Sequence, residues 1–252
     1  MENQRAIGTN AKQKTTDQKK KARDAALVAL GIALSVVTMF WVAMTDIDHG
    51  YMYGSVLVML FILTPFYISF EKDKPYAREV VLIAVMVTIA VIGRAAFFWA
   101  PQFKPIIAIV IIAGIAMGPR SGFVVGSMSA FVSNFIFGQG PWTVFQMVAW
   151  GLIGMIAGAL FFGKRFEKKS EMAALLVYGA ASCFLIHGAL TDLWTAFSLT
   201  ARPNLAAILT VYATGLIADT VLAIATVIFL LLMTRPMLRK LDRVTEKYGM
   251  FE

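Results

Sequence analysis

Long apolar runs broken by short polar stretches dominate the chain, and eight hydrophobic segments stand out: 25–45, 51–70, 79–99, 105–117, 121–137, 143–163, 172–199 and 205–234. A helix crossing a hydrocarbon core about 30 Å thick needs roughly 20 mostly apolar residues, and most of these segments are long enough. Pro105 to Met117 is not. Its helix spans only about 20 Å, which predicts a partial span packed against protein rather than lipid. The pattern predicts an all-α integral membrane protein.

Composition agrees: 59% of the 252 residues are hydrophobic and 15% charged. A net charge of +8 is compatible with nucleic-acid binding in a soluble protein, but here the charges fall at the ends of the apolar segments, which predicts no nucleic-acid partner. With the amino terminus in the cytoplasm, 20 Lys and Arg lie on the inner side. The outer loops then hold only Lys104 and Arg202. This asymmetry predicts an even number of crossings with both termini cytoplasmic. The tails KKKAR (19–23) and RPMLRKLDRVTEKYG (235–249) read as anchors beside an anionic leaflet. Leu238, Leu241 and Val244, spaced by three, also suit a helix with one apolar face for a partner. Ala25 to Thr45 carries no charge and is too long for a signal-peptide core, so it is expected to stay as a helix. The single cysteine, Cys183, reads as a packing residue.

Arg94, Asp192 and Asp219 lie inside spans, where a charge costs about 2.5–3.5 kcal/mol on insertion scales, so each is expected to face protein or water. Counting 1.5 Å per residue, Arg94 and Asp192 sit roughly 8 and 10 Å below the outer surface, and His187 and Asp219 roughly 18 and 22 Å. Arg94 with Asp192 and His187 with Asp219 are therefore candidate pairs, either as contacts between helices or as ligand groups. His187 and Asp219 alone make too short a series of titratable groups for a proton path. The outer loops AAFFWAPQFKP (95–105), SNFIFGQGPWTVFQ (133–146) and LWTAFSLTARPN (193–204) combine tryptophans with side-chain amides. Aromatic residues are expected in an interfacial belt, but amides need hydrogen-bond partners there. Gly138, Gly140 and Pro141 permit a sharp turn around Gln139.

No HExxH, CxxC, GxSxG or phosphate-binding loop occurs, so no enzymatic activity, metal or cofactor is expected. Small residues recur at helical spacing in Ala25, Ala29 and Ala33, in Ala84 and Thr88, and in Gly151, Gly154 and Gly158. Such stripes allow close helix approach within the chain or to another subunit.

The run GRAAFFWAPQFKPIIAIVIIAGIAMGPRSGFVVGSMSAFVSNFIFGQGPWTVFQMVAWGLIGMIAGALF (93–161) closely resembles the substrate-binding (S) components of energy-coupling factor (ECF) transporters, which import vitamins. The tail LRKLDRVTEKYG (238–249) fits the same group. The resemblance implies a six-helix substrate-binding core over 76–238, with a short second helix and the GPRSGF turn at 118–123. It leaves an additional transmembrane hairpin at 24–75 and cytoplasmic tails at 1–23 and 239–252. The PQFKP and GQGPWT motifs look like those of the branch associated with cobalamin or its precursors, with pyridoxine-type and pyrimidine vitamins also open. The implied partners are a transmembrane scaffold subunit and two cytoplasmic ATPase subunits. In that family alanines spaced by four on the first core helix contact the scaffold. Ala84 and Thr88 form a degenerate version here, and Ala25, Ala29 and Ala33 a cleaner one on the added helix.

These readings together lead us to expect vitamin capture for ATP-driven uptake across the cell membrane. Trp142 and Phe98 are the expected apolar walls of the site. Arg94, Gln102, Asn134, Gln139, Gln146 and Asp192 are the expected polar contacts. Two rival functions remain open, a self-sufficient secondary carrier and a membrane scaffold without a ligand.

Overall fold

The computed structural model describes residues 50–72, 76–199 and 204–250, together with most of 26–45. The basic tail 1–23, Ala25, His49, Lys74 and Arg202 lie outside the described residues. Among those described, every regular element is helical. They are α1 (Gly50–Lys72), α2 (Ala77–Ala96), α3 (Ile106–Phe137), α4 (Trp142–Phe161), α5 (Lys169–Ser182), a π-helical segment (Cys183–Gly188), α6 (Ala189–Leu199) and α7 (Leu205–Tyr248). Described residues from 26 to 44 are helical as well. Five stretches, with Lys169–Leu199 taken as one, are long and apolar enough to cross a membrane. The chain is a multi-pass membrane protein.

The two segments expected at 105–117 and 121–137 form one element with a break inside it. Gly118 has φ +84°, and Pro119 follows, so the helical ladder is interrupted there. A side chain at residue 118 is strained in that conformation, and glycine is not. The first half is the centre of the bundle: Ile106 to Ala113 are each at most 1% exposed. The short span is thus packed against protein, because neighbouring helices surround it on all sides.

Helices α3 and α4 pack through glycine. A methyl group at Gly122 would lie 2.5 Å from the Gly154 carbonyl oxygen, and one at Gly158 would lie 2.6 Å from the Pro119 nitrogen. In a bilayer, helix association depends on close van der Waals packing because lipid is as apolar as leucine, so backbone contact of this kind is the main stabilising device. The Gly151, Gly154 and Gly158 stripe is therefore used inside the chain. Helix α1 is seated on the core through Met59 and Leu63, which cluster with Phe123, Phe145 and Val148. The Tyr67 and Ser127 hydroxyls are 2.6 Å apart.

Two elements differ from the segment boundaries read in the sequence. The span 172–199 is interrupted by six π-helical residues, Cys183–Gly188, which have no distinct hydrophobic period of their own. The last helix does not stop near 234 but runs through Pro236 to Tyr248 and is closed by Gly249 in the left-handed conformation. Leu238 and Leu241 in this extension are buried against the core of the same chain. Its apolar face is thus occupied internally. Cys183 is buried, with Sγ 3.4 Å from the Thr226 hydroxyl.

Candidate functional site

The end of the bundle that carries loops 97–105 and 138–141 encloses a cavity of about 240 Å³. Gln102 and Lys104 bound it from the α2–α3 loop, and Arg94 from the last turn of α2. Gln146 and Trp150 contribute from α4. His187, Thr191, Asp192 and Thr195 come from the π segment and α6, and Asp219 and Leu222 from α7. Gln102 has φ +59°, unusual for a residue with a side chain, which turns the chain at the cavity rim.

Arg94 is buried, and other side chains hold it in place. One guanidinium nitrogen donates to the Ser133 hydroxyl and, at 2.8 Å, to Asn134 Oδ1. The guanidinium carbon lies 4.2 Å from the Phe137 ring centre and 5.1 Å from that of Trp150. Asn134 Nδ2 in turn donates to Thr143 Oγ1 at 2.9 Å and to Gln146 Oε1 at 2.8 Å. Thr143 Oγ1 donates to Gln139 Oε1 at 2.9 Å, and Gln139 Nε2 donates to the Phe131 carbonyl at 2.8 Å. The amides of the 133–146 stretch thus form one relay that begins at an exposed turn and ends on Arg94 and Gln146. Gly138, at φ +104°, makes that turn possible.

Lys104 stands 4.9 Å from the centre of the same Phe137 ring that Arg94 covers, so the two cations are neighbours. Burial, and after it the Arg94 guanidinium, lower the Lys104 ammonium pKa from its ordinary value. Deeper in the cavity, Trp150 Nε1 donates to His187 Nδ1 at 3.1 Å, which leaves Nε2 as the proton-bearing nitrogen of a neutral imidazole.

The two carboxylates are placed reciprocally. A methyl group at Gly188 would overlap the Asp219 carboxylate, and one at Gly215 would overlap that of Asp192. Each acid therefore rests on the glycine four residues before the other, in GALTD (188–192) and GLIAD (215–219). The Tyr212 hydroxyl donates to the Ala189 carbonyl at 2.6 Å and fixes this crossing.

The sequence-predicted site residues divide into three groups. Arg94, Gln102, Gln146 and Asp192 line the cavity. Asn134 and Gln139 stand behind it as positioning residues in the relay. Trp142 packs over Gly140, and Phe98 is 66% exposed beside Phe137, so neither is a wall. The pairing expected within spans takes another form: Arg94 bonds to Ser133 and Asn134, and His187 to Trp150. Among the described residues no ion pair joins either cation to either carboxylate of the cavity.

Sequence reasoning missed Lys104, Trp150, Thr191 and Thr195 as lining residues. A signal existed for Trp150, four residues after Gln146 on the same helical face, and for the paired Gly-x-x-x-Asp motifs. Ala84 and Thr88 are exposed on α2, and Ala29 and Ala33 on the leading helical stretch, which packs through Gly31 against Phe61 and Pro65. Ala25 lies outside the described residues.

The cavity has no paired nucleophile and base, and among the described residues no group of three His, Cys, Asp or Glu is placed to hold a metal ion. Over 87 residues the chain is 31% identical to a UPF0397 protein of Vibrio atlanticus and 32% identical to one of Aliivibrio fischeri strain MJ11. Each match covers 32% of this chain and 47% of the relative, so the chain spans about half the length of the curated relatives it matches. No solved structure matches it. The profile described as "ECF transporter, substrate-specific component", a transporter component rather than an enzyme family, matches residues 78–236, more than half of the chain. The chain therefore belongs to the family of ECF transporter substrate-specific components.

Proposed function

We propose that this protein is the membrane-embedded capture subunit of an ATP-driven importer and that it binds a vitamin-sized organic molecule in the cavity between α2, α4, α6 and α7. The observation that carries this reading is a 240 Å³ cavity whose charged lining has no ion-pair partner among the described residues. Unpaired charges at membrane depth are costly and mark sites of function. The excess of basic residues toward the opposite end favours an extracytoplasmic position for the cavity. With no phosphate-binding loop in the chain, energy comes from partners, a transmembrane scaffold subunit and two ATPases, as family membership suggests.

The cavity also bears on substrate size. Drug-sized ligands occupy pockets of about 300–1,000 Å³, and 240 Å³ lies below that range. A corrinoid, which the GQGPWT motif suggests, is larger still, so a vitamin with one or two rings fits this conformation better.

The test is thermal denaturation of the purified protein against a panel of B vitamins that includes cobalamin. A ligand at 100 times its Kd adds about 2.7 kcal/mol of stability. Uptake into liposomes should then require co-reconstituted scaffold and ATPase subunits. Uptake by this chain alone would establish a secondary carrier, and silence across the panel would favour a scaffold. Labelling of a cysteine placed at Gln139 from the cytoplasmic side only would overturn the orientation.

A further inference from the structure

The charges of the cavity are sorted. Arg94 and Lys104 flank one aromatic ring, that of Phe137, near the loops. Asp192 and Asp219 lie together on the seam between α6 and α7, where each rests on the other helix's glycine. Trp150 and His187 separate the two groups: Trp150 touches Arg94 on one side and hydrogen-bonds His187 on the other, and His187 precedes Gly188, which supports Asp219. The site therefore has a basic end and an acidic end, with Trp150 and His187 between them.

A pair of like charges at low dielectric is unfavourable, and it is doubly so when neither member has a counter-ion. A ligand with only a negative group would satisfy Arg94 and Lys104 and leave both carboxylates without a counter-ion. One with only a positive group would do the reverse. An uncharged ligand would displace water from all four and compensate none.

We propose that the captured molecule is amphoteric, with a carboxylate or phosphate at one end held by Arg94 and Lys104 and a protonated amine at the other held by Asp192 and Asp219. This inference rests on the capture reading above. The Gln146 amide nitrogen, whose oxygen is already taken by Asn134, supplies a further donor beside the basic end. The reciprocal glycines have a purpose in this arrangement, since a side chain at Gly188 or Gly215 would push a carboxylate out of place.

The experiment uses matched triads on the full-length protein in detergent. One triad is para-aminomethylbenzoate, its methyl ester and its N-acetyl derivative; a second is para-(2-aminoethyl)benzoate, its methyl ester and its N-acetyl derivative, which set the two charges slightly farther apart. Melting temperature and equilibrium binding are read for each compound beside the B-vitamin panel. The expected result is that the amphoteric member of at least one triad binds about 10- to 100-fold more tightly than both singly charged members, the factor for one charged hydrogen-bonded contact. Lys104→Gln, at the rim of the cavity, should weaken the amphoteric and acid-only members by the same factor and leave the amine-only member unchanged. Equal binding by a singly charged member, or no binding by any amphoteric compound, overturns the proposal. If a vitamin without both charges binds, the capture reading stands and this inference fails. Silence from every compound and every vitamin defeats both.

Discussion

The two ends of the bundle each carry clustered charge, and they use it differently. At the end opposite the cavity, Arg165 lies 3.3 Å from Glu246 and 3.6 Å from Asp242, with its side chain 65% exposed. Arg235 donates to the carbonyls of Phe166 and Glu167, and Arg78 to that of Gly249. The depression between these groups, about 520 Å³, is larger than the cavity at the other end. Arg165 there is nevertheless paired with two carboxylates of α7 and open to solvent, so these contacts hold the α7 extension against the core and cost little. At the cavity end the charged groups are fewer, lie deeper and lack ion-pair partners among the described residues. Volume alone would select the end whose arginine is already paired. The balance between burial and pairing selects the one with unfinished electrostatics.

The largest effect should come from Arg94→Met, which removes the buried cation around which the relay is organised. Affinity for whichever vitamin shifts the melting temperature should fall at least about 100-fold, or about 2.7 kcal/mol, by equilibrium binding. Arg165→Met at the opposite end should change it less than about 2-fold; comparable losses would erase the distinction between the ends. Next, Gly215→Leu forces the Asp192 carboxylate away from α7. It should reduce affinity about 10- to 100-fold while the protein remains monodisperse in gel filtration.

A smaller effect is expected from Gln146→Leu, which removes one donor from the cavity and leaves Asn134 with one acceptor fewer. Affinity should fall about 10-fold, with a stability loss of about 1 kcal/mol in thermal denaturation. Gln139→Ala sharpens the comparison within one segment. It should cost about 1 kcal/mol of stability through the turn and change affinity less than about 3-fold, because Gln139 lies outside the cavity. An affinity loss as large as that of Gln146→Leu would return the turn to the binding surface. The smallest effect is that of Arg165→Ala on stability, about 0–1 kcal/mol and weaker at high salt, since the pair is exposed.

Much of the architecture is legible in the order of residues. Pro105 to Met117 is too short to span and too apolar to be exposed, and in the structure it is the buried centre. The glycines at 151, 154 and 158 predict close packing, and they meet the backbone of α3. The site was legible only in part. Depth and side-chain type point to Arg94, Gln102, Gln146 and Asp192, and all four line the candidate cavity. Trp142 and Trp150 differ in level by about 12 Å along α4, but the sequence does not say at which level the cavity opens, and only the second meets it. Side-chain type cannot distinguish Gln139, which closes a turn, from Gln146, which lines the cavity.

What the sequence by itself determined is the helical, membrane-crossing character of the chain and the level of each polar residue along its helix. Hydrocarbon leaves the backbone no other partner, and each residue adds a set rise. Only the tertiary structure decided azimuth. Each step along a helix turns by about 100°, so a small rotation set by packing moves a side chain from lipid to cavity. The π-helical residues 183–188 change that phase in mid-span, presenting His187 from within the segment and Asp192 just after it. The reciprocal seating of two aspartates on two glycines then depends on how α6 and α7 cross, which neither helix specifies alone.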